Sequence, residues 1–295
     1  MRFGAHLPIA AFNGSRPTAS TLVECAEVAE ALGYTTLCAN DHLVFSVPWT
    51  DGIVALSAAA ARTKSIRLMT TASLLVVRGA ASLGSAAVAL AYVSGGRLTM
   101  SLTPGSTQSD YDAIGIPFEQ RWSRFDAALD EFKAYLDREG AAVSVWIASW
   151  GSEAGMRRFA RHGDGWLASA YHATPEHFAS SLAYLKQQLA LRGTDGDGFP
   201  NAVATMYTFL TDDPQRADSV LRTLISPRQA PADLRDRMLI GPADDCVEKL
   251  RALEAAGVKE VFIWPVADEV RQLERFANEV VPRFEQSPAG VQGSD

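Results

Sequence analysis

Short strand-forming runs alternate eight times with longer segments of helical periodicity, and this alternation restricts the fold more than any other feature of the chain. The first run, "RFGAHLPI" (residues 2–9), is followed by a helix that Thr18 or Ser20 can cap and that reaches Gly33. Within it Leu22, Cys25, Ala26, Ala29 and Leu32 form one apolar stripe. "TTLCAND" is the second strand, and "GIVALSAAAART" its helix. "IRLMTTASLLV" is the third, with a small-residue helix over 80–93, and "RLTMSLT" is the fourth, after the Ser94-Gly95-Gly96 break. The next helix, from about 119 to 138, carries Trp122, Phe125, Leu129, Phe132 and Leu136 on one side. "VSVWIAS" and "GWLASAY" are the fifth and sixth strands, with helices over 152–162 and 175–191. "AVATMYTFL" is the seventh, with helices over 214–225, 231–238 and 244–256, and "EVFIWPV" is the eighth, closed by a helix over 269–284.

Strands that alternate with helices pair in parallel through helical crossovers. An α/β fold closed into a (β/α)8 TIM barrel is the expectation, with an open doubly wound sheet as the alternative. No linker divides the chain, so a single domain is expected over residues 1–284. The last stretch, 285–295, ends in "QSPAGVQGSD" and has the composition of a free tail. The chain opens directly on an apolar run, and "AASLGSAAVALAYV" is too short and too rich in small residues to span a membrane, so a soluble cytoplasmic protein is expected. A net charge of −7 without a basic run argues against nucleic acid or a membrane surface as partner. Cys25, Cys38 and Cys246 are scattered and lack metal spacing, which suits buried free thiols.

In such a barrel the chemistry lies where strands hand over to helices. Asp41-His42 stands at one such point, and His6, Thr71-Ala72, Pro104-Gly105, Tyr171-His172 and Trp264-Pro265 stand at others. Collected on one rim, these residues line a pocket. Ser149, Trp150, Gly151 and Ser152 precede a helix starting at Glu153, where unpaired amides and small residues suit a phosphate as well as an ordinary serine cap. Trp146, Trp150, Trp166 and Trp264 suit either a pocket for a planar ligand or the core. "GDGWLA" leads from helix into strand, the wrong order for a dinucleotide site. The five histidines never pair at i, i+4, so no metal site is expected.

"NDHLVF" with "GIVALSAAAARTKSIRLMTTASLLVVR", then "LAYVSGGRLTMSLTPGSTQSDYDAIGIPFEQR", "VWIASWGSEAGMRRFARHGDGW" and "GPADDCVEKLRALEAAGVKEVFIWPV", resemble in order the luciferase-like oxidoreductases that use flavin or deazaflavin. The resemblance implies a (β/α)8 barrel, a small organic substrate and a homodimer. It puts Asp41-His42 beside the cofactor ring, with His42 moving a proton and Asp41 orienting the imidazole; His6 is a second candidate for the proton. It also implies a non-proline cis peptide at Thr71-Ala72 or Ala72-Ser73, and a phosphate held by Ser149–152, with Arg157 or Arg158 near an anionic tail. "GAHLP" and "NDHL" followed by "PW" resemble the branch that uses coenzyme F420, which favours hydride transfer. The alternatives are a monooxygenase using reduced FMN, and a non-catalytic or cofactor-free barrel. The chain departs from the family at "SLTPG", where Ser101 and Thr103 stand in place of glycines, and at Ser106, where some members have a glutamate. Its "REGAA" connection replaces a longer lid.

Overall fold

The computed structural model describes residues 1–12, 14–224 and 234–285. Nine strands run parallel: β1 (Arg2–His6), β2 (Thr36–Ala39), β3 (Arg67–Leu74), β4 (Leu98–Thr103), β5 (Ser144–Ala148), β6 (Gly165–Ser169), β7 (Asn201–Leu210), β8 (Leu239–Gly241) and β9 (Glu260–Pro265). Strands β1 to β7 pair in chain order, and β9 bonds both β7 and β1. That closure makes a single-domain (β/α)8 barrel and excludes the open sheet. The three-residue β8 extends only the upper end of β7, at Thr208–Leu210, and is too short to show periodicity in sequence.

Helices α1 (Ala19–Ala31), α2 (Gly52–Ala60), α3 (Leu75–Arg78), α4 (Ala80–Val93), α5 (Gln108–Asp112) and α6 (Arg121–Arg138) cover the first half. The second half carries α7 (Glu153–His162), α8 (Pro175–Ala190), α9 (Pro214–Leu224), α10 (Leu234–Arg237), α11 (Ala243–Ala255), α12 (Glu269–Glu279) and α13 (Pro282–Glu285). Side-chain caps start several of them: Thr18 accepts from Thr21 N, Asp51 from Val54 N, Ser152 from Gly155 N and Thr174 from His177 N. Among the described residues no helix is long and apolar enough to cross a membrane.

Two boundaries differ from expectation, and a third falls partly outside the described residues. The apolar run expected as strand to residue 76 stops at Leu74 and turns into α3, because the Leu74 amide goes to the Asp41 carboxylate instead of a neighbouring strand. The helix expected over 269–284 breaks before Pro282, which has no amide to continue it. Of the helix expected over 231–238 the structure describes α10; residues 231–233 and the tail beyond 285 lie outside the described residues.

Strand alternation sorts side chains into two sets. Leu68, Leu98, Met100, Leu102, Val145 and Ile263 face the helices, as does Phe3, whose ring meets the edges of Phe276 and Phe284 at 5.2 and 5.3 Å. Cys38, Met69, Trp146, Leu167, Ala202 and Phe262 fill the barrel itself. Trp146 fits there because its register partner on β6 is Gly165; a Cβ on Gly165 would lie 2.1 Å from the indole. The floor is ionic. Glu260 is fully buried and takes 2.7 and 2.8 Å bonds from Arg67, with further bonds from Thr35 and Thr36. All three cysteines are buried and free, and burial pushes the Cys25 and Cys246 thiols up to about 12.

Candidate active site

The carboxyl ends of β1, β9, β2, β3 and β4 meet around an aromatic cluster. His6 ends β1 facing inward, its ring stacked at 3.6 Å and 11° on Trp264 of β9. Its Nδ1 donates to the Leu7 carbonyl at 2.7 Å, which leaves Nε2 as an acceptor, buried and without a partner among the described residues. Burial pushes this imidazole down to about 3 against the opposing pull of the Leu7 bond, so it is neutral at physiological pH. Trp264 also packs against Phe12, Trp49 and Tyr207. Residue 12 belongs to the loop after β1 and Trp49 to the loop after β2, and an Ala10–Trp49 bridge ties these loops together. The Trp49 Nε1 donor is likewise buried without a partner among the described residues.

At the end of β2 the two expected catalytic residues part, as adjacent side chains on an extended chain must. Asp41 is buried and turns to β3, accepting from Leu74 N at 3.0 Å and from both Nε and Nη2 of Arg78. Arg78 reaches on to Asp51, the cap of α2. Asp41 therefore does not orient His42, which corrects the expectation from sequence.

That role falls to Asp110 on α5. His42 Nδ1 donates to Asp110 Oδ2 at 2.8 Å, while Oδ1 of the same carboxylate accepts the amides of Leu43 and Val44 at 2.8 and 2.9 Å. Asp110 is 1% exposed, although it sits on a helix of only five residues. The imidazole is flanked by Phe45, stacked at 4.4 Å, and by the edge of Trp49 at 4.8 Å.

On β3 the Thr71–Ala72 peptide is cis, and the ladder to β4 shifts register between Thr70 and Ser73. Thr70 Oγ1 covers the gap, donating to Ser101 O and accepting from Ser101 N, both at 3.0 Å. Among the described residues the buried Ser101 hydroxyl has no hydrogen-bond partner, and the buried Thr71 hydroxyl meets only the Cys38 thiol.

The Ser149–152 turn lies at the end of β5 and is held by α8. His177 donates to Trp150 O at 2.6 Å and Ser181 to Gly151 O at 3.1 Å. Gly151 has φ +93°, and a Cβ there would meet Ser181 Oγ at 2.4 Å. The Trp150 indole is half-exposed and stacks on His172 at 4.1 Å. Tyr171, the neighbour of His172, reaches Tyr207 through a 3.4 Å hydroxyl contact, and from Tyr207 a line of ring contacts runs through Trp264 and Trp49 to His42. The arginines expected to serve an anionic tail are engaged elsewhere. Arg158 binds Asp126 under Trp122, and Arg157 binds Tyr184 and Glu153. Of the four tryptophans, Trp146 and Trp264 lie inside the barrel and Trp150 at the rim, while Trp166 stacks on Phe178 beneath α8.

The sequence model for luciferase-like monooxygenases matches residues 1–260. The chain belongs to that family. It is thus an oxidoreductase by family. A curated relative, 4-hydroxyprotoasukamycin monooxygenase of Streptomyces nodosus subsp. asukaensis, is 26% identical, covering 92% of this chain and 88% of its own length. The crystal structure of monooxygenase RslO1 from Streptomyces bottropensis superposes with a TM-score of 0.80 at 19% identity, over 96% of this chain and 100% of that one. An F420-dependent secondary alcohol dehydrogenase, solved with an F420-acetone adduct, gives 0.81 at 14% identity, over 95% and 98%. At these identities the two structures speak for the fold of this luciferase-like chain.

Proposed function

We propose that this luciferase-like oxidoreductase uses coenzyme F420 at the carboxyl rim of its barrel to transfer hydride to or from a small organic substrate. The observation that carries this reading is the His42–Asp110 pair. With Nδ1–H given to a buried carboxylate, Nε2 is free to take a proton from a substrate hydroxyl or return it to a carbonyl oxygen. The rim also suits a planar polar ring, since His6 Nε2 and Trp49 Nε1 are buried hydrogen-bonding atoms without a partner among the described residues. His6, Thr71 and Ala72 would hold the ring. Ser149, Trp150, Gly151 and Ser152 would take its phosphate end at the start of α7.

When bound, the deazaflavin supplies two-electron hydride chemistry. The protein's own part is to seat the substrate against His42, to keep water out with Phe45, Trp49 and Trp264, and to carry the proton at Nε2. Asp41 supports the β3 turn through Leu74 and Arg78. In a second reading the chain is a monooxygenase using reduced FMN; the 26%-identical relative, itself a monooxygenase, supports the reaction class.

Fluorescence titration with F420 and with FMN, on the wild type and on His42→Ala, tests both. The first reading expects tighter F420 binding, with binding retained in the variant and turnover lowered by about 10²–10⁴-fold. Tighter FMN binding selects the second. Binding of neither overturns both in favour of a non-catalytic or cofactor-free barrel.

A further inference from the structure

We infer that Ser101 is a ligand-contacting residue, its hydroxyl bonding a polar edge of the group seated at the barrel mouth. The inference rests on the cofactor reading above and adds a residue to it.

Direction comes first. On β4, Leu98, Met100 and Leu102 belong to the shell beneath the helices, so Ser101 alternates to the inside. Its register partner on β5 is Trp146, one of the side chains that fill the barrel. Ser101 is fully buried, and its Oγ has no partner among the described residues.

The hydroxyl also has no local structural task. A serine inside a sheet commonly patches a broken ladder, and the ladder beside Ser101 is broken, at the β3 register shift. Thr70 Oγ1 already does the patching, bonding both the amide and the carbonyl of Ser101. The Ser101 side chain is left over, taken out of water with no bond in exchange, where alanine would fill nearly the same space at no such cost. Thr71 brings a second buried hydroxyl from β3, where it meets only the weakly hydrogen-bonding Cys38 thiol. Two buried hydroxyls thus flank the register shift from adjacent strands, and that of Ser101 has no partner among the described residues. Such a wall suits a ligand edge that carries carbonyl or N–H groups and gives nothing to an apolar one.

The test compares Ser101→Ala and Ser101→Cys with the wild type in two readouts: melting temperature without ligand, and dissociation constants for F420 and FMN by tryptophan quenching. The expected result is an unchanged or raised melting temperature for Ser101→Ala, with the tighter-bound cofactor weakened about tenfold. Ser101→Cys, which keeps the size and loses most of the hydrogen-bonding strength, is expected to fall between. An unchanged dissociation constant in a wild type that binds overturns this inference alone. So does an affinity loss that follows a drop in melting temperature, which would mark a buried water or a packing role. A wild type that binds neither cofactor overturns the cofactor reading and this inference with it.

Discussion

His42 gives its Nδ1 to Asp110, 68 residues away, and not to the Asp41 beside it. The same carboxylate holds the amides of Leu43 and Val44, so one buried group fixes both the tautomer of the imidazole and the loop that carries it. Asp110→Asn separates the two functions. Its amide oxygen still accepts the two loop N–H groups, but its NH₂ cannot accept from the imidazole. The expected outcome is a turnover loss of about 10²-fold with cofactor affinity retained, and loss of the Nδ1–H tautomer of His42 in nitrogen-15 spectra. Asp110→Ala should in addition destabilise the fold by roughly 2–4 kcal/mol, since three bonds are lost. Wild-type turnover in Asp110→Asn with an altered tautomer would remove His42 from the chemistry.

Asp41 is predicted to matter for stability. It is 4% exposed, and Arg78 is its charge partner. Arg78→Met strands that carboxylate in the interior and should cost roughly 3–5 kcal/mol in denaturant unfolding. Asp41→Asn should lower melting temperature and activity together. Full stability with abolished turnover would restore Asp41 to the catalytic role that the sequence suggested.

The barrel interior should tolerate little added volume at β6. Gly165→Ala places a methyl against Trp146, which the strand register fixes beside it. A loss of about 1–3 kcal/mol or more is expected, largely recovered when Trp146→Leu is added. A double-mutant cycle with no coupling would show that the two residues do not share this space.

The eight barrel strands were legible because each is buried on both faces, and its apolar run stands out against the amphipathic helices. That His6, Thr71 and Ala72 stand on one rim was legible for a related reason: strand ends in a closed barrel lie together. Asp110 was not. A one-turn helix leaves no periodicity, and nothing local announces that a carboxylate will be buried against a loop far back in the chain. Asp41 was misassigned because its partner Arg78 follows a run that looks like strand, and only the turn at Leu74 brings the two together. The Ser101 departure from the family's glycine was visible, but that its hydroxyl stands inside the barrel and unpaired required the register of β3, β4 and β5.

His6 should make the fold acid-sensitive in a defined window. Its folded pKa is pushed to about 3 from an ordinary 6.5, chiefly by burial. Between those values the unfolded chain takes up a proton that the folded chain refuses, so stability rises with pH across the window. The contribution is complete above about 6.5, falls as pH drops toward 3 by about 1.4 kcal/mol per unit, and changes no further below it. His6→Gln can still bond the Leu7 carbonyl and does not titrate. The free energy of urea unfolding, measured for both proteins from neutral pH to about pH 4, should converge as pH falls, with the wild type losing more. Parallel curves would mean that His6 takes up its proton equally in the folded and unfolded chains, and hence that burial does not hold the ring neutral in this window.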